Sequence, residues 1–450
     1  MNKHVSNLIS FLLVLLSLTV LAGAGLLLWR SLPEARPEEV DTLELSGVFA
    51  SGQSAVEPER EKPYEGALPA QQTVPAPAEA QPSEPEPAPE PEPEAESESV
   101  RLARQTMESM TLDEKIWQLF LVTPEAITKV NTATVAGEKT KQALEDFPVG
   151  GLVYFSDNLE DRTQVRALLS GTQSFSKIPL FLAVDEEGGS VSRIGANSAL
   201  GGTPAPSLAD LGRTADPGTV YAAGSTIARS MTDLGFNLDF APVADVLGAQ
   251  DAVIGDRSFG SNPELCASLA GVLVNSLRDH GVISCLKHFP GYGSAIVDDH
   301  YGASVVDKSP EELEAVDLVP FKTVISYPGS VPFVMVCHLS YPQITGDDTP
   351  ADLSPEIVTE LLRNKLQFAN VIITDSHQMA SITDHYSAGE AAVAALAAGC
   401  DMILMPEDLE SAADAVHAAI RTGQLTQARI DESVLRILTV KAEYGLLSAQ

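Results

Sequence analysis

The stretch "VIITDSHQM", residues 371–379, opens with four residues of strong strand propensity and turns polar at Asp375. Its apolar part does not alternate with polar residues, which is the pattern of a strand buried on both faces. A carboxylate at that point emerges where the strand meets its loop, either facing a site or capping the helix that follows.

Seven other runs share this pattern: "LFLVTP" (119–124), "GGLVYFSDN" (150–158), "LFLAVDEEGG" (180–189), "GFNLDFAPVADV" (235–246), "VISCLKHFPGYG" (282–293), "FVMVCHLSYP" (333–342) and "DMILMPED" (401–408). Helical stretches lie between them. "SPEELEAVDLVPFKTVI" (309–325) starts with Ser309 as N-cap and Pro310 at the first helical position, and "AGEAAVAALAAG" (388–399) ends at Gly399. Eight strand–helix units over residues 99–450 predict an α/β fold, a (β/α)₈ barrel of TIM type in one domain. An open doubly wound sheet shares the alternation, but the count of eight and the lack of a G-x-G-x-x-G turn after the first strand favour the barrel. Asp185, Asp239, Lys287, His288, His338 and Asp375 then all fall at or near the C-terminal ends of strands, where barrels build their sites, and one shared mouth is expected.

The N-terminal quarter differs in kind. Residues 8–29 carry no charge and are long enough to cross a hydrocarbon core of roughly 30 Å, predicting an uncleaved anchor behind a short cytoplasmic segment, residues 1–7. A cleaved signal peptide ending at Ala22-Gly23-Ala24, giving a secreted protein, is the alternative. Residues 30–98 form a Pro/Glu-rich linker; 13 of the 30 prolines fall within residues 31–98, too little apolar surface to offset ordering, so an extended spacer is expected. Residues 99–450 hold a net −22 of the chain's −34, which excludes nucleic acid as a natural partner. Cys266, Cys285, Cys337 and Cys400 stand in apolar surroundings without C-x-x-C spacing and read as buried thiols.

Asp298 and His300 form a D-x-H pair, and in an extended loop residues two apart share a side, so the carboxylate can orient the imidazole for acid/base work. A solvated polar loop is the plainer reading. Lys287, at the end of an apolar strand, needs acceptors: substrate hydroxyls, or a carboxylate such as Asp185. Asp185, Arg193 and Arg257 suit sugar hydroxyls and amide or carboxylate oxygens, or else pair with one another structurally. Gly188 and Gly189 permit a tight turn beside them. No H-E-x-x-H, H-x-H or cysteine pair is present, so no metal and no cofactor are expected.

With these residues collected, the chain resembles the β-N-acetylglucosaminidase (β-hexosaminidase) branch of glycoside hydrolase family 3 over nearly all of residues 103–447. The marks are "LDEKIWQLF", "GGLVYFSDN", "DEEGGSVSRI", "GFNLDFAPVADV", "GDRSFG", "KHFPGYG" with "DDH", "TDSHQM", "GCDMILM" and "RIDESVLRIL", in that order. The resemblance implies a retaining reaction through a covalent glycosyl-enzyme intermediate. In it Asp375 matches the nucleophile, His300 the acid/base, Asp298 the residue orienting that histidine, and Asp185, Arg193, Arg257, Lys287 and His288 the sugar-binding positions. It also implies partners among N-acetylglucosamine-containing glycans such as cell-wall muropeptides, and a monomer is expected. A neutral imidazole base repels phosphate less than a carboxylate does, so phosphorolysis stays open; so do β-glucosidase action and a catalytically inert glycan-binding barrel. The chain departs from the family at three positions near the mouth: Tyr292 replaces the usual histidine, Ser190 an arginine and His377 an apolar residue.

Overall fold

The computed structural model describes residues 96–248, 252–298, 302–327 and 331–447. The predicted anchor at 8–29, residues 30–95 of the linker, Asp299 and His300 lie outside the described residues. Among the described residues no helix is long and apolar enough to cross a membrane.

All eight predicted runs form strands of one closed parallel barrel. In chain order these are β1 (Phe120–Val122), β2 (Gly151–Val153), β3 (Phe181–Val184), β6 (Leu238–Asp239), β7 (Ile283–Phe289), β8 (Phe333–Val336), β9 (Val371–Ser376) and β10 (Met402–Leu404), with β4 (Glu186–Gly188) and β5 (Val191–Ser192) forming a separate antiparallel ribbon after β3. The barrel order is β1-β10-β9-β8-β7-β6-β3-β2, closed by pairing of β1 with both β10 and β2. Every residue of β1, β3, β7, β8 and β10 is buried, which is why these strands carry no polar alternation.

Helices cover the outside of the barrel, and capping chemistry sets their ends. Ala388–Ala398 starts at a capping box between Ser387 and Glu390 and stops at Gly399, whose φ of 120° is open to glycine. The segment expected as one helix over 309–325 is two, Pro310–Ala315 and Leu318–Ile325. Ser309 caps the first as expected, but Pro320 has no N–H to bond Val316, and the chain breaks between them.

At the strand starts, Phe181 and Phe333 meet edge-to-face with centroids 5.1 Å apart. Lys441, fully buried, lies over the Phe181 ring at 4.9 Å and donates to Gln118 Oε1 at 2.7 Å. Burial pushes its amine down to about 7. The floor is therefore plugged, leaving the opposite rim, where the strands end, for function.

Candidate active site

That rim encloses a cavity of about 480 Å³, a size that suits a sugar-sized ligand. Asp185, Arg193, Arg257, Lys287, His288, Asp298 and Asp375 all line it, together with Glu187, Tyr292 and an apolar wall that includes Phe155, Val191, Met335 and Met379. Seven of the eight expected site residues thus share one mouth; the eighth, His300, lies outside the described residues.

The polar wall is built around a buried carboxylate that sequence reading passed over. Glu187 accepts two bonds from Arg257, at Nε and Nη2, both 2.8 Å, and sits 2.7 Å from Lys287 Nζ. Lys287 also donates to Asp185 at 2.9 Å. Burial raises the Glu187 carboxyl, but the two cations outweigh it and hold it down at about 2. Burial likewise works against charge on Lys287, and Asp185 and Glu187 reverse the effect, so the ammonium is retained. The acceptors expected for Lys287 are therefore Asp185, as anticipated, and Glu187. Arg257 pairs with Glu187, whereas Arg193 approaches the Phe155 ring at 6.0 Å.

Asp245 is the second residue not anticipated. Its carboxylate accepts from His288 Nδ1 at 2.7 Å and from the Tyr292 backbone N–H at 2.6 Å, fixing the imidazole and the turn after β7. The Lys287–His288 bond is cis, and both side chains line the cavity. Tyr292, 5% exposed, packs its ring 5.5 Å from that of His288, so the residue in place of the family's histidine helps wall the site. The Gly188-Gly189 turn has positive φ at both residues, and a Cβ at Gly189 would lie 2.5 Å from that of Ser207. Ser190, just beyond, donates to Asp256 Oδ1 at 2.9 Å.

Asp375 lies near the end of β9, where its Oδ1 accepts the Ser376 N–H at 2.7 Å. It faces the cavity and does not cap the next helix, Ala380–Thr383, whose N-cap position is Met379. Burial opposes its ionisation, but His288, His338, the Ser376 N–H and Lys287 prevail and hold the carboxyl below its ordinary value. The site thus sets an ionised carboxylate beside fixed cations and hydrogen-bond donors.

Behind it, Asp352 bridges His338 and His377, a grouping whose ligand-type atoms lie within 4.8 Å of one another. All three residues are buried. Asp239, expected in the mouth, is fully buried and accepts the Glu186 N–H at 3.0 Å. Burial raises its carboxyl well above the ordinary value, so it resists ionisation beneath the site.

Residues 111–440 match the model of the glycosyl hydrolase family 3 N-terminal domain. Beta-hexosaminidase A of Pseudoalteromonas piscicida is 32% identical over 346 residues, covering 70% of this chain and 57% of the relative. Beta-hexosaminidase LpqI of Mycobacterium tuberculosis is 37% identical over 309 residues, covering 66% and 76%. A solved family 3 beta-N-acetylglucosaminidase from Paenibacillus sp. FPU-7 superposes with a TM-score of 0.71 at 33% identity, covering 76% of this chain and 64% of that one. The chain accordingly spans less than two thirds of the length of some of these relatives. With the barrel, its rim and these matches together, the chain belongs to glycosyl hydrolase family 3.

Proposed function

We propose that the protein is a retaining β-N-acetylhexosaminidase that releases terminal N-acetylglucosamine from cell-wall muropeptides or related glycans. The observation that carries this reading is the ionised Asp375 at the end of β9, facing a cavity whose polar wall holds Lys287, His288 and Arg257 in fixed geometry. Asp375 attacks the anomeric carbon while His300, oriented by Asp298, protonates the departing oxygen. The glycosyl–aspartate ester is then opened by water that the same histidine, now neutral, deprotonates. Asp185, Arg193, Arg257, Lys287 and His288 hold the sugar. No metal is required for either step. Residues 8–29 anchor the chain, and the acidic linker holds the barrel outside the cell, within reach of wall material; fractionation of the full chain with membranes tests that placement.

The test of activity is release of aglycone from aryl β-N-acetylglucosaminide and of N-acetylglucosamine from muropeptides, with and without phosphate. Asp375→Ala is expected to lower turnover by about a thousandfold or more while sugar binding survives. Turnover of an aryl β-glucoside instead of the N-acetylglucosaminide overturns the substrate assignment. Product appearing as a sugar 1-phosphate replaces hydrolysis with phosphorolysis, and absence of turnover on any β-glycoside leaves a binding barrel.

A further inference from the structure

Three buried side chains behind the cavity are not used by the reaction as described. His338 follows β8, Asp352 sits in the turn Ala351–Leu353, and His377 follows β9. His338 Nε2 lies 3.0 Å from the Ser376 carbonyl oxygen. A carbonyl only accepts, so Nε2 carries a proton. Its other ring nitrogen, Nδ1, lies 3.0 Å from Asp352 Oδ1. That contact is an ion pair if Nδ1 carries a proton as well as Nε2, and a carboxylate so close favours the imidazolium form of His338. The remaining oxygen, Asp352 Oδ2, faces His377 Nε2 at 2.8 Å, while His377 Nδ1 is buried without a partner. That leaves His377 as the neutral Nε2–H tautomer, since a bare acceptor is the less costly atom to bury alone. With His338 charged, one anion, one cation and one neutral ring balance the cluster.

The connection to the reacting carboxylate runs through one residue. Ser376 gives its carbonyl to His338 and its N–H to Asp375 Oδ1 at 2.7 Å. The imidazolium thus grips the peptide that orients Asp375 and places a fixed positive charge behind it. Resting on the assignment of Asp375 as nucleophile, we propose that His338 is a positioning residue: clamped as an imidazolium between Asp352 and the Ser376 carbonyl, it aims Asp375 and keeps it ionised, with His377 pinning the far side of Asp352. His377, at a position where the resemblance leads one to expect an apolar residue, gains a purpose here. It supplies the second donor that a bridging carboxylate needs in a dry site.

Other titratable groups face this knot. Lys287 and His288 of β7 act on Asp375 from across the cavity, and Tyr386 and Cys400 face Asp352. Among the described residues the hydrogen bond to the Ser376 carbonyl comes from His338, so a change confined to His338 is separable from theirs.

The experiment uses the full chain with His338→Gln, whose amide still donates to Ser376 but bears no charge, and with Asp352→Asn, which removes the counterion. Aspartate carboxyl carbons are labelled, Asp375 is assigned by its loss in Asp375→Asn, and its titration is followed by NMR. An opposite charge close by moves a carboxyl by roughly 1–3 pH units, and the expected rise in the Asp375 midpoint is about one unit in either variant. The acid limb of kcat/KM is expected to follow, with activity below it falling about tenfold, and the double variant no worse than His338→Gln. An Asp375 midpoint that stays in place while Tm falls makes the cluster merely structural and overturns the proposal. So does a stoichiometric metal whose removal by chelator reproduces the variants' loss, because the three side chains are then its ligands. The carboxyl titration reads out with or without turnover, so failure of the hydrolase assignment is distinguished from failure of the clamp.

Discussion

Glu187→Gln tests the polar wall most severely. The side chain is 1% exposed and is shared by two cations, with three contacts of 2.7–2.8 Å. Gln keeps the shape, loses the charge and turns an amide N–H₂ toward a guanidinium or an ammonium. Removing one partner of a buried pair costs about 3–5 kcal/mol. Linkage leads to a similar figure: a carboxyl with an ordinary value of 4.5, held at about 2 when folded, contributes about 3 kcal/mol. Because the folded value is depressed, this contribution is fully present above pH 4.5 and is lost as pH falls through about 2. Urea unfolding of wild type and variant at pH 7, and again near pH 3, measures both features. The expected result is a gap of about 3 kcal/mol at pH 7 that narrows toward acid, with kcat/KM reduced because Arg257 and Lys287 lose their common anchor. A gap below about 1 kcal/mol with unchanged kinetics refutes the view that Glu187 organises the wall.

Lys441→Met is expected to stabilise the protein. Its amine is depressed from 10.5 to about 7, so the penalty for folding the charged form is full below pH 7 and gone above 10.5; the gain in thermal unfolding is therefore larger at pH 6 than at pH 9. Asp239→Asn is expected to be tolerated at pH 7 and slightly stabilising there. The native carboxyl is raised, so above pH 3.8 the unfolded chain ionises more readily than the native one; the advantage fades toward pH 3.8, and pH-dependent denaturation measures it. Gly293→Ala puts a Cβ 1.9 Å from the Val246 carbonyl oxygen, and displacing that backbone is expected to lower both soluble yield and turnover, measured against wild type.

Much of the barrel is legible because doubly buried strands have no polar face to disguise them. "FVMVCHLSYP" and "VIITDSHQM" announce β8 and β9 by unbroken apolar runs, and their polar ends announce the rim. The β4–β5 ribbon was invisible, since its inward groups are the charges Glu186 and Glu187 and no apolar alternation marks it. Glu186 spends its carboxylate on the backbone N–H groups of Arg193, Ile194 and Gly195, which folds the ribbon back and brings Arg193 to the cavity. A signal was present: three adjacent acids, Asp185, Glu186 and Glu187, between a buried strand and a Gly-Gly turn cannot all be solvated if the turn closes on the barrel. Asp352 and His377 gave less warning. They are 25 residues apart, and only the closure of β8 against β9 makes them neighbours.

The same closure separates carboxylates that look equivalent in the sequence. Asp239, Glu187 and Asp375 all follow or end apolar strands and all lose water on folding. Burial alone raises each of them, so position at a strand end predicts three neutral acids. Glu187 escapes because Lys287 and Arg257 touch it, whereas Asp239 receives one backbone N–H and a more distant cation and stays raised. Asp375 falls between them: His288, His338 and Lys287 act on it through space, and its hydrogen bond within the wall comes from Ser376. That intermediate position suits a nucleophile. A carboxylate clamped by two cations, like Glu187, is too well satisfied to attack, and one left neutral cannot; a carboxylate ionised by charges near it but not bonded to it keeps lone pairs facing the cavity.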